Sequence, residues 1–338
     1  MSDDPARSHL GVTYASLMTL GLDTALHTAR LAEELGYGSF WTAETVGPEA
    51  FSVLAAAGAA APSLDLGTGV LALQLRTPPL VAMSGATLQA LHPDRDIVLG
   101  VGISSPVVAR RWHGAPYGDR PVGQVREYLT VLRQCLSGES VSFAGDHYQV
   151  DRFRLGVRLG ERRPKIVLGA LNPRMLALAG ELADGVLLNY LPASHVAWSV
   201  EQVRRGAAGR TDGGPTIYAY VHAGVGDRAD AVEPARRDLF SYAVVDAYAR
   251  NFERAGFGDE VAAIRAHHAE GDRAGALAAV SDAMIDAIDV VGDADLVKST
   301  VDAYVAAGVD VPVLMPLPWG PDRLAVVDAT MRAAAGRG

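Results

Sequence analysis

The sequence of 338 residues contains a single cysteine, Cys135, so no disulfide can form within the chain. It also lacks an uninterrupted apolar run of about 18 residues, which argues against a membrane span. The opening stretch, MSDDPARSHL, has neither the basic nor the apolar region of a signal peptide. Together these absences predict a cytoplasmic protein that does not enter a membrane.

A surplus of basic residues is missing as well. The net charge of -9 at pH 7 disfavours nucleic acid as a partner, because phosphate backbones attract basic surfaces. Apolar residues make up 49% of the chain and charged residues 20%, which is enough for a core and argues against disorder. The composition therefore predicts a compact soluble protein.

Short apolar runs alternate with longer segments of helical period along the chain. The runs predict strands at 10–15, 38–44, 64–72, 96–102, 164–170, 185–190, 216–224 and 311–316. The other segments predict helices at 22–35, 49–60, 79–91, 122–136, 173–182, 194–207, 293–307 and 321–335. Strands separated by crossover helices are parallel.

The repeated unit favours an α/β fold closed as a (β/α)₈ TIM barrel over an open doubly wound sheet. An open sheet usually carries Gly-x-Gly-x-x-Gly after its first strand, and 10–22 contains no such motif. Two insertions are predicted, a hairpin at about 139–163 after strand four and extra helices at about 228–290 after strand seven. The second is either a lid or substrate wall, or a packing or dimer element. We expect one domain over 1–338.

The active site of such a barrel lies at the carboxyl ends of its strands. Those ends are poor in titratable groups, since Glu44 is the only carboxylate and His222 the only histidine among them. The pattern predicts no metal site and no nucleophile–base pair. A site built from backbone and small apolar residues suits a flat organic cofactor that brings its own chemistry.

Three stretches carry more specific information: LGTGVLALQLRTPP (66–79), DRDIVLGVGISSPVVARRWHGAP (94–116) and PKIVLGALNPRMLALAGELADGVLLN (164–189). In the last, a strand leads into a helix whose first turn offers backbone N–H groups and Arg174 to an anion. With SYAVVDAYARNFERAGF and AGVDVPVLMPLP, these stretches make the chain resemble the luciferase-like monooxygenase superfamily. Within it, the chain resembles the deazaflavin-dependent oxidoreductases.

The resemblance implies a cofactor ring that rests against a non-prolyl cis peptide in strand three, here at Gly69–Val70. It implies a cofactor phosphate at 169–173, where Asn172 replaces a residue that is often glycine in relatives. The positions assigned to cofactor binding are therefore Thr42, Gly69, Val70, Leu71, Ala72, Gly102, Ser104, Ala170, Leu171, Asn172 and Arg174.

The chain departs from its relatives at two positions. Thr45 stands where several relatives have a catalytic histidine, and Ser105 stands where some sugar-phosphate dehydrogenases have a glutamate acid. Neither side chain can supply a proton at neutral pH as His or Glu would. Glu44, Thr45 and Ser105 are the candidate catalytic residues, with the ring itself expected to do most of the chemistry.

The resemblance implies an enzyme, and we expect hydride transfer between coenzyme F420 and a small organic substrate. The alternatives are an FMN-dependent monooxygenase on the same scaffold and a non-catalytic flavin-binding protein. The side chains expected to face the substrate are Tyr14, Trp112, Tyr190 and Trp319, which suggests a largely apolar pocket. A homodimer is expected from the resemblance alone.

Overall fold

The computed structural model describes residues 9–337. The strands are β1 (Gly11–Thr13), β2 (Ser39–Thr42), β3 (Asp65–Thr68), β4 (Leu71–Ala72), β5 (Ile97–Gly102), β6 (Val141–Ala144), β7 (Gln149–Phe153), β8 (Lys165–Gly169), β9 (Gly185–Leu188), β10 (Thr216–Val225), β11 (Val290–Gly292) and β12 (Val311–Pro316).

The α-helices are α1 (Leu22–Leu35), α2 (Ala50–Ala60), α3 (Pro78–Leu91), α4 (Pro121–Cys135), α5 (Pro173–Leu182), α6 (Ala193–Gly206), α7 (Arg228–Ala243), α8 (Asp246–Phe252), α9 (Gly258–Ala269), α10 (Arg273–Ala278), α11 (Asp282–Ile288), α12 (Ala294–Ala306) and α13 (Arg323–Ala334). A 3₁₀ helix covers Ala15–Leu20, and π-helical turns cover Val107–Trp112 and Glu253–Phe257. Within the described chain, none of these helices combines the length and the apolarity that a membrane span requires.

A closed ring of parallel strands forms the centre of the molecule. Its order is β1, β2, β3 with β4, β5, β8, β9, β10 and β12, and β12 pairs with β1 to close it. Between each barrel strand and the next, except after the seventh, the chain forms one α-helix of the outer layer. The predicted (β/α)₈ barrel is therefore confirmed.

Alternation along the strands divides the core into two layers. On β10, Tyr218 and Tyr220 join the apolar cluster inside the barrel, which also contains Trp41 and Met315. Ile217, on the other face of the same strand, packs in the larger cluster against the surrounding helices. Because side chains of a strand point alternately to its two faces, His222 continues the inward row at the carboxyl end.

Both predicted insertions are present. In the first, β6 and β7 form an antiparallel hairpin apart from the barrel, and Glu127 of α4 accepts N–H bonds from Asp146, His147 and Tyr148 at its turn. The second folds as α7 to α11 around a core of its own that packs on Tyr190. That the whole chain acts as one domain stays a prediction.

The structure differs from the expectation in two strands. The third barrel strand is divided into β3 and β4, because its backbone turns at the Gly69–Val70 bond. The short strand β11 at the end of the second insertion was not predicted. It pairs in parallel with the end of β10, which brings the chain after α11 to the mouth of the barrel.

Candidate active site

The Gly69–Val70 peptide bond is cis, as the resemblance implies. The Tyr220 hydroxyl donates a hydrogen bond of 2.7 Å to the Gly69 carbonyl oxygen, and a Cβ at Gly69 would lie 2.0 Å from that hydroxyl. A Cβ at Gly102 would lie 2.9 Å from Val70 Cγ2, and one at Gly169 would lie 3.1 Å from Val70 Cγ1. Glycines at the ends of β5 and β8 therefore leave room for the Val70 bulge.

Two polar atoms beside this bulge have no partner among the described residues. Thr42 at the end of β2 is fully buried, and its Oγ1 makes no hydrogen bond. Gln74 Nε2 is likewise unpaired, while Gln74 Oε1 accepts a hydrogen bond of 3.3 Å from the Ser104 N–H. Leu71 and Ala72 between them are buried in β4. Unpaired buried polar atoms are rare, and a bound molecule with donors and acceptors on its edge would satisfy them.

The Glu44 carboxylate is held in an ion pair. Arg76 donates to it through Nε at 2.8 Å and Nη2 at 2.7 Å, and the side chains of both residues are about 15% exposed or less. Arg76 also meets Glu49, the N-cap of α2. This pairing joins the loops after β2 and β4, so it favours a structural role for Glu44 over proton transfer.

Thr45 lies in the loop after β2, and Ser105 lies in the loop after β5. His113 bonds through Nε2 to the Thr45 carbonyl oxygen, and the Thr45 side chain itself is exposed. Ser105 Oγ accepts from the Val108 N–H at 3.2 Å, just before the π-helical turn. The Ser105 side chain thus shapes its own loop, whereas Thr45 takes part only through its backbone.

The start of α5 has the form expected of an anion site. Pro173 occupies the first helical turn, and the Asn172 side chain makes no capping bond to the helix. Arg254, from the second insertion, donates to Asn172 Oδ1 at 2.7 Å and to the Leu171 carbonyl oxygen at 3.2 Å. Ala170 is buried just before this turn, while Arg174 is exposed. Arg254 was not predicted, because its contact depends on how the insertion folds over the barrel.

The four expected substrate-facing aromatic residues lie in different surroundings. Tyr14 is fully buried and its hydroxyl donates to the Gly21 carbonyl oxygen, so it faces the core instead of a pocket. Tyr190 is 4% exposed and packs inside the second insertion. Trp112 is 57% exposed on the loop after β5. Of these four residues, only Trp319 lines the cavity of about 820 Å³ between α7 and the loop after β12.

A cluster that the sequence did not predict lies beside this cavity. One ring nitrogen of His222 and one carboxylate oxygen each of Asp238 and Asp289 lie within 4.8 Å of one another. His222 Nδ1 is 2.9 Å from Asp289 Oδ1, and His222 Nε2 is 2.9 Å from Asn189 Oδ1. Tyr190 donates to Asp238 Oδ2 at 2.8 Å. The strand ends are thus richer in titratable groups than expected, because the insertion supplies two carboxyl groups.

Burial disfavours charge throughout this cluster. It raises the pKa of Asp289, which is 0% exposed, well above its usual range, and it lowers the pKa of His222 to about 4. Burial and the neighbouring Asp289 raise the pKa of Asp238 to about 7. The segment AIDVVG carries a sequence signal, since the acidic residue Asp289 precedes a short apolar run. The signal identifies Asp289 as a site residue only once the run is known to pair with β10.

Comparison with known proteins agrees with this geometry. The sequence profile of the luciferase-like monooxygenase family matches residues 5–311. The chain belongs to this family. As a luciferase-like protein it carries the cis bond at strand three that the resemblance implies, and its two insertions occupy the positions that the sequence pattern predicted.

Proteins similar to this luciferase-like chain include two that are named for the deazaflavin coenzyme F420. A coenzyme F420-dependent oxidoreductase of Mycobacterium tuberculosis, Rv3520c, is 31% identical over 84% of this chain and 88% of its own length. The 5,10-methylenetetrahydromethanopterin reductase of Archaeoglobus fulgidus is 28% identical over 87% and 89%. The coenzyme F420-dependent tetrahydromethanopterin reductase of Methanopyrus kandleri has the same fold, with a TM-score of 0.79, 23% identity and coverage of 98% and 99%.

Proposed function

We propose that this luciferase-like chain is a coenzyme F420-dependent oxidoreductase that transfers a hydride between the deazaflavin and a small organic substrate. The observation that carries the proposal is the cradle around Val70, where buried Thr42 Oγ1 and Gln74 Nε2 lack partners. The name of the Mycobacterium tuberculosis relative, a coenzyme F420-dependent oxidoreductase, supports F420 over other flavins.

The residues present fit such a cofactor. Val70 offers an apolar bulge to one face of a flat ring, and the glycines at 102 and 169 make room for the methyl groups of Val70. The unpaired Thr42 Oγ1 and Gln74 Nε2 support a partner with polar groups on its edge. The first turn of α5 and the Arg254 guanidinium suit a phosphate group, because N–H donors and a positive charge meet there.

A bound deazaflavin supplies the hydride chemistry, accepting or giving two electrons with one hydrogen. The protein's part is to fix the ring, leave its second face to the substrate and exclude water. In this proposal the Glu44–Arg76 ion pair takes no part in the chemistry and connects the loops after β2 and β4.

The test is a titration of the purified protein with F420 and, separately, with FMN, followed by the absorbance and fluorescence of each cofactor. We expect saturable binding of F420 and much weaker binding of FMN. Tight FMN binding with no affinity for F420 would overturn the proposal in favour of the monooxygenase. Binding of F420 with no turnover of any alcohol, carbonyl or enone would instead support a non-catalytic protein.

We also propose that the protein is a cytoplasmic homodimer. An apolar groove of about 280 Å³ runs between α2 and α3, lined by Phe51, Leu80, Met83 and Leu91. Met83 is 48% exposed and Leu91 is 60% exposed, so the groove leaves unusually apolar surface uncovered. A second copy of the chain would cover it.

A further inference from the structure

Asp238 belongs to the cluster of His222, Asp238 and Asp289 and also lines the cavity between α7 and the loop after β12. Its helix, α7, forms one wall of the cavity of about 820 Å³, and Trp319 and Gly320 from the loop after β12 form the other. Asp238 lines this space while its Oδ2 accepts the 2.8 Å hydrogen bond from Tyr190. It is therefore the one member of the cluster on the cavity wall.

The hydrogen bonds of His222 fix where its protons lie. Asn189 Oδ1 accepts from the Tyr190 backbone N–H as well as facing His222 Nε2, so it acts as an acceptor and Nε2 carries a hydrogen. The 2.9 Å contact between Nδ1 and Asp289 then shares a single proton. Asp289 Oδ2 is buried and has no partner among the described residues. The cluster thus contains a proton shared by His222 and Asp289, and Asp289 Oδ2 has no hydrogen-bond donor among the described residues.

The backbone at Tyr190 is bent to make these contacts. Its φ is +49°, in the left-handed region that aromatic residues seldom adopt. Asn251 donates to its carbonyl oxygen at 2.8 Å, and its ring packs 3.8 Å from that of Tyr242, between centroids. The surrounding structure thus holds an unfavourable conformation that aims the Tyr190 hydroxyl at Asp238.

We propose that Asp238 is the proton donor and acceptor for hydride transfer, and that the substrate is an alcohol or the corresponding carbonyl compound bound beside Trp319. This inference rests on the proposed deazaflavin-dependent function. In this proposal the second insertion supplies, through Asp238, the proton donor that Thr45 and Ser105 cannot provide. His222, Asp289 and Tyr190 act as positioning residues, because they reach the substrate only through Asp238.

The step balances with deazaflavin as the electron acceptor. In oxidation the carbinol C–H bond breaks and its hydrogen leaves with both electrons as hydride to the deazaflavin. The O–H bond breaks, its proton passes to the Asp238 carboxylate, and its electron pair forms the C=O bond. In reduction the same steps run backwards, and protonated Asp238 donates to the carbonyl oxygen. A carboxyl group that changes charge near neutral pH suits this exchange.

Other charged and titratable groups surround Asp238. On its own helix these are Asp230, Arg237 and Tyr242, and the remaining elements contribute Tyr190, His222, Tyr248, Asp289 and Arg323. The cavity arginines are exposed, whereas His222 and Asp289 are buried. Asp289 is thus the negative group that acts on Asp238 with the least solvent screening.

The experiment compares Asp238→Asn with Asp259→Asn, an exposed aspartate of the same insertion. Infrared spectra of the cofactor-free proteins are recorded against pH. We expect a protonated carboxyl band that titrates near pH 7 in the wild type and in Asp259→Asn and is absent from Asp238→Asn. If the wild type shows no such band, the proposal is wrong.

Kinetics with F420 and a panel of secondary alcohols give the second readout. Asp238→Asn should lower kcat by roughly 100-fold or more with little change in KM, and it should remove one limb of the pH profile. Asp238→Glu should restore part of kcat. The affinity of Asp238→Asn for F420 should stay within about twofold of the wild type, since Asp238 is not among the residues assigned to cofactor binding. Full kcat in Asp238→Asn would overturn the inference while leaving the proposed function intact, and failure of the wild type to bind F420 would overturn both.

Tyr190→Phe keeps the test decisive if Asp238→Asn does not fold. The Tyr190 hydrogen bond lowers the pKa of Asp238, so its loss should move the infrared titration and the kinetic limb to higher pH. A limb that does not move would count against Asp238. Retention of one divalent metal per chain after dialysis, with turnover abolished by a chelator, would also overturn the inference, by assigning the three side chains to a metal site.

Discussion

The hydroxyl of Tyr220 on β10 donates a 2.7 Å hydrogen bond to the carbonyl oxygen of Gly69 at the end of β3. These strands stand on opposite sides of the barrel, four positions apart in its order. The bond therefore spans the lumen and ties the wall that carries the Val70 bulge to the wall that carries His222. On β10, Tyr220 thus contacts the Gly69–Val70 segment, while His222 contacts Asp289.

Tyr220→Phe should destabilise the protein by about 1 kcal/mol or more, because the buried Gly69 carbonyl oxygen loses its donor. Chemical denaturation followed by circular dichroism measures the change. Affinity for F420 should fall as well, since the bulge is less firmly held. Tyr117→Phe, in the loop after β5, is the control and should leave both quantities nearly unchanged. Equal stability of Tyr220→Phe and the wild type would show that the bond contributes nothing.

Glu44→Gln should lower stability by about 1 to 3 kcal/mol, because the half-buried Arg76 guanidinium loses the charge of its main partner. We expect the shape of the pH–rate profile to stay as in the wild type. The paired measurements are a thermal melt and kcat/KM against pH. Loss of a limb from the profile at unchanged stability would assign Glu44 a proton-transfer role after all.

Arg254→Ala should weaken F420 binding by roughly tenfold, since a charge-assisted contact at the start of α5 is removed. The effect should shrink at high salt, because screening already weakens that contact in the wild type. Arg250→Ala, an exposed arginine of α8, is the matched control. Equal losses in the two variants would point to general electrostatics instead of a phosphate site.

The stability of Asp238→Asn relative to the wild type should depend on pH. The pKa of Asp238 is raised to about 7 in the folded protein, against about 4 when unfolded, so the folded state holds the extra proton between these values. The contribution of Asp238 to the free energy of unfolding is fully present below about pH 4, where the carboxyl group is protonated in both states, and it is lost as pH rises towards 7. The variant, which never ionises there, should gain on the order of 2 to 4 kcal/mol over the wild type across this window.

Urea denaturation at pH values from 4.5 to 8 measures this difference. The pKa of His222 is lowered to about 4, so its contribution runs the other way, falling as pH falls through the window. That contribution is common to wild type and variant, and it largely cancels from the comparison. Asp259→Asn should run parallel to the wild type at every pH. Parallel curves for Asp238→Asn would contradict the raised pKa.

Met83→Glu should convert a dimer to a monomer, because a charge would be buried in the α2–α3 groove. Sedimentation velocity across a range of concentrations gives the oligomeric state. Val305→Glu provides the control, as Val305 is 49% exposed on α12, outside this groove. Dissociation by both variants, or by neither, would place the interface elsewhere.

The local pattern predicted most of the fold. Helix ends carry their own signals, such as Thr77 and Pro78 at the start of α3 and Gly36 with φ of +81° after α1. The hairpin and the extra helices were also visible, because their periodicity differs from that of a barrel unit. Short strand β11 was missed, since three apolar residues give too little pattern to separate a strand from a helix end.

The sequence by itself determined the barrel and the small residues at the ends of its strands, because alternation and glycine spacing are local properties. Gly69, Gly102 and the start of α5 are such features. Only the tertiary structure brought Asp238 and Asp289 to His222, which lies 67 residues before Asp289 in the chain. That meeting depends on how α7 to α11 pack over the barrel mouth. Burial there, which no single segment encodes, is what changes the proton affinity of the two carboxyl groups.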